Sequence, residues 1–355
     1  MSQYWSDLVH QLDPYVPGEQ PQDLHYIKLN TNENPYPPSP SAAKVIASFS
    51  LDKLRRYPDP ESTGLAQALA SYHGLEPDQV FVGNGSDEVL AHSFQAFFKH
   101  ASPLLFPDIS YSFYPVYCGL YQINYQTITL DNNFAINIED YARPNGGIII
   151  PNPNAPTGIA LDLDAIIYLL KNTRSVVIID EAYIDFGARS AVGLIDHYPN
   201  LLVIQTFSKS RSLAGLRLGY ALGHRELIEG LNRVKNSFNS YPVDSIASAI
   251  AIASLRDEAY FQKCRNQVIA SRDWLTTELT ELKFTVLPSS SNFLFARHLS
   301  IAAATLYQKL KKAGILVRHF KTKRIENYLR ISIGADRDCK ALVSELKSIL
   351  YQPGE

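Results

Sequence analysis

The sequence predicts an α/β protein: a mostly parallel central sheet with helices on both faces, joined to a smaller α+β domain. Three observations carry this expectation. Between about residue 46 and residue 255, short apolar runs alternate with helical patterns, the arrangement that lays crossover helices over parallel strands. The runs themselves are strand-length and β-branched, as in Gly147-Ile-Ile-Ile150 and Val176-Val-Ile-Ile179. From about residue 256 the pattern shifts to a long helix with charged faces, followed by short strands and helices. The expected divisions are therefore an N-terminal arm over 1–45, a large domain over 46–255 and a small domain over 256–355.

Taken in order, the arm is rich in proline and ends in Leu29-Asn-Thr-Asn-Glu-Asn-Pro-Tyr-Pro-Pro38, so it reads as an extended segment that packs on the small domain or on a partner subunit. A strand over 79–82 leads into a helix over 86–99, and further strands follow over 103–106 and 147–150. A helix over 162–172 precedes strands over 175–180, 201–206 and 218–222. The last third holds strands over 284–287, 292–295, 315–318 and 328–333, with helices near 301–313 and at the C-terminal end. Neither an internal repeat nor a low-complexity tract interrupts the chain.

Composition narrows the partners. The chain of 355 residues is 46% hydrophobic and 19% charged, enough for two cored domains, and its net charge of −2 with no long basic run argues against nucleic acid and anionic membrane surfaces. The apolar runs are too short to span a bilayer, and residues 1–18 carry charges with no apolar h-region, so neither a membrane span nor a targeting peptide is expected. Cys118, Cys264 and Cys339 are odd in number and unpaired in spacing, which argues against disulfides and a zinc site and fits a reducing cytoplasm.

The strand ends carry the chemistry. Lys209 lies where the apolar run Leu201-Leu-Val-Ile-Gln-Thr206 gives way to a Ser- and Gly-rich segment. Its amine is thereby delivered to the carboxyl edge of the sheet, where open α/β folds bind ligands, and it reads as a Schiff-base lysine. Arg217, eight residues on, can hold an anion beside it. In Gly83-Asn-Gly-Ser-Asp-Glu88, the residues Gly85, Ser86 and Asp87 offer free N–H groups at a helix start, suited to a phosphate or simply to a turn capped by Ser86. Asn152 follows the isoleucine strand and either donates its amide to a ligand oxygen or shapes a loop. Asp180 ends a buried strand with no Lys or Arg adjacent, which leaves its charge to a protonated ligand nitrogen. Tyr183 brings a hydroxyl to the same crevice or packs there, and Tyr111 offers a flat face for stacking.

A phosphate cradle, an aromatic plate, a carboxylate for a ring nitrogen, donors for a ring oxygen and a lysine for an aldehyde together describe a site for pyridoxal 5′-phosphate. The motifs Asn152-Pro-Asn-Ala-Pro-Thr-Gly158, Asp180-Glu-Ala-Tyr183 and Ser208-Lys209 with Arg217 resemble the fold-type I, aspartate-aminotransferase-like enzymes. The arm motif, Arg56-Tyr-Pro-Asp59, Leu213-Ala-Gly-Leu-Arg-Leu-Gly-Tyr220 and Leu329-Arg-Ile-Ser-Ile-Gly334 are most similar to the histidinol-phosphate aminotransferase family, and the resemblance covers essentially the whole chain.

That resemblance implies roles. Lys209 would hold the cofactor aldehyde and act as catalytic base, Asp180 would face the pyridine nitrogen, and Asn152 with Tyr183 would bond the ring oxygen. Tyr111 would stack on the ring, while Gly85, Ser86, Asp87, Ser208 and Arg217 would hold the phosphate. Tyr57 would reach the phosphate in a neighbouring subunit, so a homodimer is implied. Tyr15, Asn32, Arg318 and Arg330 would bind substrate: histidinol phosphate in one half-reaction, glutamate or 2-oxoglutarate in the other. The run Ser210-Arg-Ser212 departs from the small-aromatic-small run of many relatives. An aromatic-amino-acid aminotransferase or a threonine-phosphate decarboxylase would share the same cofactor site. A regulator built on this scaffold would need an N-terminal DNA-binding domain, for which the arm leaves no room.

Overall fold

The computed structural model describes residues 2–20 and 26–351. The arm contributes one short strand, β1 (Ile27–Lys28). The large sheet contains β2 (Val80–Gly83), β3 (Leu104–Pro107), β4 (Tyr125–Ile128), β5 (Gly147–Pro151), β6 (Val177–Asp180), β7 (Leu201–Thr206) and β8 (Gly219–Gly223) in the order β2-β8-β7-β6-β5-β3-β4. All its pairings are parallel except the two made by β8. The carboxyl ends of the other strands therefore share one edge, and β8 starts from that edge.

Alternation along the central strands fills two cores at once. Ile148, Ile150, Val177, Ile179, Leu201 and Val203 pack into one apolar cluster, with Leu65 and Leu69 of helix Thr63–His73 and Ile250 of helix Ser245–Arg256. Their neighbours Ile149, Ile178, Leu202 and Ile204 pack into another, against Val89 and Phe94 of helix Gly85–Phe97 and Leu231 of helix Arg225–Phe238. Successive side chains of a strand point to opposite faces, so a strand covered on both sides has to be apolar throughout. β4 is the element that the apolar runs do not reveal. It lies at the sheet edge, where Tyr125, Gln126 and Thr127 are exposed and Ile128 alone is buried.

The smaller sheet contains β9 (Phe284–Val286), β10 (Phe293–His298), β12 (Arg318–His319) and β13 (Leu329–Ser332), while β11 (Ile315–Leu316) pairs in parallel with β1. The single strand expected over 315–318 is thus two, divided at Val317, because its halves serve different sheets. Leu275 and Leu279 of helix Glu258–Glu281, Leu306 of helix Ala303–Lys312 and Leu342 of helix Asp336–Tyr351 build the core here, joined by Leu29 of the arm and Phe186 from the loop after β6. Among the described residues, no helix is long and apolar enough to cross a membrane.

Candidate active site

The shared strand edge opens into a cavity of about 760 Å3 walled by residues of the large sheet edge, the small sheet and the arm, within the range of sites that enclose a cofactor and a small substrate. β6 delivers Asp180, and β7 leads directly into Ser208 and Lys209. Arg217 reaches the same edge because it lies two residues before β8, which runs against its neighbours.

Asp180 is 5% exposed. Its Oδ2 accepts from the Tyr114 hydroxyl at 2.8 Å and its Oδ1 from the Ala182 N–H at 3.2 Å. Burial raises its pKa to about 6, against the pull of these two donors, with Asp87 adding to the rise. Among the described residues no Lys, Arg or His forms an ion pair with it, so the chain leaves one buried carboxylate facing the cavity without a cation. A protonated ring nitrogen would complement that carboxylate in charge.

Lys209 Nζ lies 5.8 Å from the centre of the Tyr183 ring and donates to the Thr31 carbonyl at 3.4 Å. The Tyr183 hydroxyl accepts from Asn32 Nδ2 at 3.0 Å, which leaves its own proton free for a ligand oxygen. Asn32 is itself fixed: it takes the left-handed conformation at φ 56°, its N–H donates to Ser332 Oγ, and Ser332 Oγ donates to Asn32 Oδ1 at 2.8 Å. The arm therefore reaches the Lys209 amine while pinned to β13.

At the start of helix Gly85–Phe97, the N-cap Asn84 makes no side-chain cap bond, so Ser86 does not serve as the cap. Asp87 accepts from the Tyr111 hydroxyl on Oδ1 and from Arg217 Nη2 on Oδ2, both at 2.9 Å, so its carboxylate orients the aromatic plate and the arginine. Burial and the nearby Asp87 charge push the Tyr111 pKa well above its ordinary value, so the hydroxyl stays protonated as a donor. Gly85 has φ +83°, and a Cβ there would sit 2.6 Å from Arg217 Nη2. The position of the Arg217 guanidinium thus depends on the missing side chain.

The opposite end is cationic. Arg330 in β13 stands directly across from Arg318 in β12, and both line the cavity. Like charges in a cross-strand pair are unfavourable unless an anion lies between them. Arg330 Nη2 donates to the Asn30 carbonyl at 2.9 Å while its Nε is buried without a partner, and burial lowers its pKa. Tyr15 joins this end, packed on Phe113 at 4.8 Å between ring centres.

Tyr15, Asn32, Ser86, Asp87, Tyr111, Asp180, Tyr183, Ser208, Lys209, Arg217, Arg318 and Arg330 all line the one cavity. Gly85 lies just behind that wall, against Arg217. Asn152 and Tyr57 do not reach it. Asn152 is fully buried, its Oδ1 accepting from the Leu161 N–H at 2.8 Å, with Nδ2 making only a 3.4 Å contact to the Leu161 carbonyl. Tyr57 is 82% exposed and stacks on Tyr241 at 4.7 Å, away from its own chain's cavity. Sequence reasoning missed Tyr114, Thr31 and Asn34, the last donating to the carbonyls of Lys209 and Ser210. For Tyr114 a signal exists, since it follows Tyr111 by three residues, and the turn before its helix, in which the Tyr114 N–H donates to the Tyr111 carbonyl, brings the two rings within 5.7 Å.

Comparison with known proteins places the chain in a family. Residues 25–346 match the model of the family described as aminotransferase class I and II. Histidinol-phosphate aminotransferase 2 of Dechloromonas aromatica is 58% identical over 354 residues, covering 98% of this chain and 99% of that protein. Histidinol-phosphate aminotransferase 1 of Hydrogenovibrio crunogenus is 58% identical over 353 residues, with 98% and 99% covered. A histidinol-phosphate aminotransferase from Sinorhizobium meliloti, solved in complex with pyridoxal-5′-phosphate, has the same fold at a TM-score of 0.88 and 23% identity, covering 99% of this chain and 98% of that one. The chain thus belongs to the class I and II aminotransferases and, within them, to the histidinol-phosphate aminotransferase family.

Proposed function

We propose that this protein is a pyridoxal-phosphate-dependent aminotransferase that interconverts histidinol phosphate and 2-oxoglutarate with imidazole-acetol phosphate and glutamate. The observation that carries this reading is Asp180, a buried carboxylate lacking an ion-pair partner among the described residues, in the same cavity as the Lys209 amine. The full-length relatives of 58% identity support the choice of substrate.

When bound, pyridoxal 5′-phosphate supplies an aldehyde that exchanges amines and a protonated ring that delocalises the electron pair left when a Cα proton departs. Asp180 would set its charge opposite the ring nitrogen. Tyr183 would donate to the ring oxygen, and Tyr111, oriented by Asp87, would cover the ring. Gly85, Ser86, Ser208 and Arg217 would receive the phosphate. Lys209 would hold the cofactor through its amine and, with that amine free, its Nζ would serve as the general base and acid that takes up and returns the substrate Cα proton. Arg330 and Arg318 bind the phosphate of one substrate and the carboxylate of the other, since a guanidinium fork pairs with either. Asn152 acts through the loop it builds with Leu161, shaping the wall beside the ring.

The working unit proposed is a homodimer in the cytoplasm. Tyr57, Tyr241 and Phe238 are exposed aromatic residues outside their own chain's cavity, which suits Tyr57 to a neighbouring site. The three cysteines are buried and free, as a reducing compartment allows. Mixing inactive Lys209→Ala and Tyr57→Ala subunits should restore activity through mixed dimers; no recovery would separate Tyr57 from the partner site.

The substrate is tested by following visible absorbance while histidinol phosphate, phenylalanine or threonine phosphate is added alone. Bleaching at the lowest concentrations of histidinol phosphate, restored by 2-oxoglutarate, is the expected result. Bleaching by phenylalanine alone would make it an aromatic aminotransferase, and loss of carbon dioxide from threonine phosphate a decarboxylase.

A further inference from the structure

The turn that carries Lys209 is anchored on its far side by groups that do not line the cavity. Arg211 is buried, with its guanidinium carbon 4.1 Å from the centre of the Phe261 ring and 5.0 Å from that of Tyr72. A planar guanidinium suits such a position between aromatic faces. Its Nη1 donates to the Ser254 carbonyl at 2.8 Å, and its Nη2 lies 3.5 Å from Glu258 Oε2. Next to it, the Ser210 hydroxyl donates to Asp185 Oδ2, and Asn34 Nδ2 donates to the carbonyls of Lys209 at 3.0 Å and Ser210 at 3.1 Å. Ser212, left-handed at φ 61°, closes the turn.

The partners of Arg211 straddle a junction. Ser254 belongs to helix Ser245–Arg256, which packs under the large sheet, whereas Glu258 and Phe261 open helix Glu258–Glu281, whose later turns build the small-domain core. Asp257 between the helices accepts from the hydroxyls of Ser39 and Ser41, and Tyr260 donates to the Pro37 carbonyl. One guanidinium therefore joins the lysine turn to the point where one helix of each domain meets the arm. A phenyl ring at position 211 would fill the space between Phe261 and Tyr72 but make neither polar contact.

We propose that Arg211 is a positioning residue for Lys209, which transmits the placement of the small domain to the reacting amine through the 209–212 turn. The inference rests on Lys209 being the cofactor lysine. The test compares full-length wild type, Arg211→Gln, Arg211→Lys and Lys209→Ala in two readouts. One is steady-state transamination; the other is the rate at which visible absorbance develops when pyridoxal 5′-phosphate is returned to protein stripped of it.

Arg211→Gln is expected to lower kcat roughly ten- to a hundredfold with KM within about twofold, the scale on which misplacing a catalytic group by about 1 Å acts. The return of absorbance slows with it, and Arg211→Lys recovers part of both. Arg211→Gln matching wild type in both readouts, or losing only melting temperature, overturns the inference. If Arg211→Gln does not fold, Glu258→Gln loosens the same ion pair from its exposed end; an effect in the same direction supports the inference and no effect overturns it. Wild-type protein that never develops absorbance, or Lys209→Ala that develops it normally, overturns the cofactor reading instead.

Discussion

The Tyr114 hydroxyl donates to Asp180 Oδ2 at 2.8 Å in a fully buried contact. This donor favours the carboxylate form of a group that burial pushes toward neutrality. Tyr114→Phe should therefore shift the acid limb of the pH–rate profile upward by about one unit, the equivalent of about 1.4 kcal/mol. A profile superimposable on wild type would dissociate Tyr114 from the charge of Asp180.

Lys209→Ala should abolish turnover and the visible absorbance of bound cofactor together. Borohydride treatment should fix the cofactor covalently in wild type, whereas in the variant it should still come away on gel filtration. Retention of turnover in the variant would remove the lysine from the mechanism.

Gly85→Ala places a Cβ 2.6 Å from Arg217 Nη2 at a backbone φ of +83°. The arginine must move off the phosphate position, so the dissociation constant for pyridoxal 5′-phosphate should rise at least tenfold, about 1.4 kcal/mol. KM for histidinol phosphate at saturating cofactor should change little. Isothermal titration of stripped protein measures the first, and steady-state kinetics the second.

Arg330→Ala removes the arginine whose Nε is buried and unpartnered. Loss of a charged hydrogen bond of about 1.5–3 kcal/mol predicts KM values for histidinol phosphate and glutamate raised roughly ten- to a hundredfold. A normal KM for either substrate would mean the two anions use different pockets.

Asp180 and Glu181 are both raised by burial, from 3.8 to about 6 and from 4.5 to about 7. A carboxyl group with a raised folded-state pKa contributes its stability in full below its unfolded value and loses it as pH rises through the folded value. Cofactor-free protein should therefore lose stability between about pH 4 and about pH 7. A cation at the ring nitrogen offsets the Asp180 share. The melting-temperature gap between loaded and stripped protein should widen as pH rises through this window, and Asp180→Asn should flatten the stripped curve. A constant gap would count against a cation opposite Asp180.

The strand ends were legible because a polar residue after an apolar, β-branched run is a local signal; Asp180 after Val177–Ile179 and Lys209 after Leu201–Thr206 need no distant information. Contacts between remote segments left no such trace. Asn34 meets the Lys209 carbonyl across 175 residues, and Thr31 meets its amine across 178. For Asn152 the position at a strand end is readable, but the Leu161 N–H from which its Oδ1 accepts is not. β4 escaped because an edge strand with one buried residue has no apolar run to detect.

Asn32 is fastened to Ser332 across 300 residues, and among the described residues β1 pairs only with β11. On a ribosome, which releases the N-terminal end first, the large sheet has all its strands once residue 223 has emerged. The arm then has no strand to join until residues 315–316 are made, and Asn32 no anchor until residue 332. A nascent chain thus completes its sheet well before it can assemble a working centre, so a prematurely terminated product would carry the lysine without the contacts that aim it.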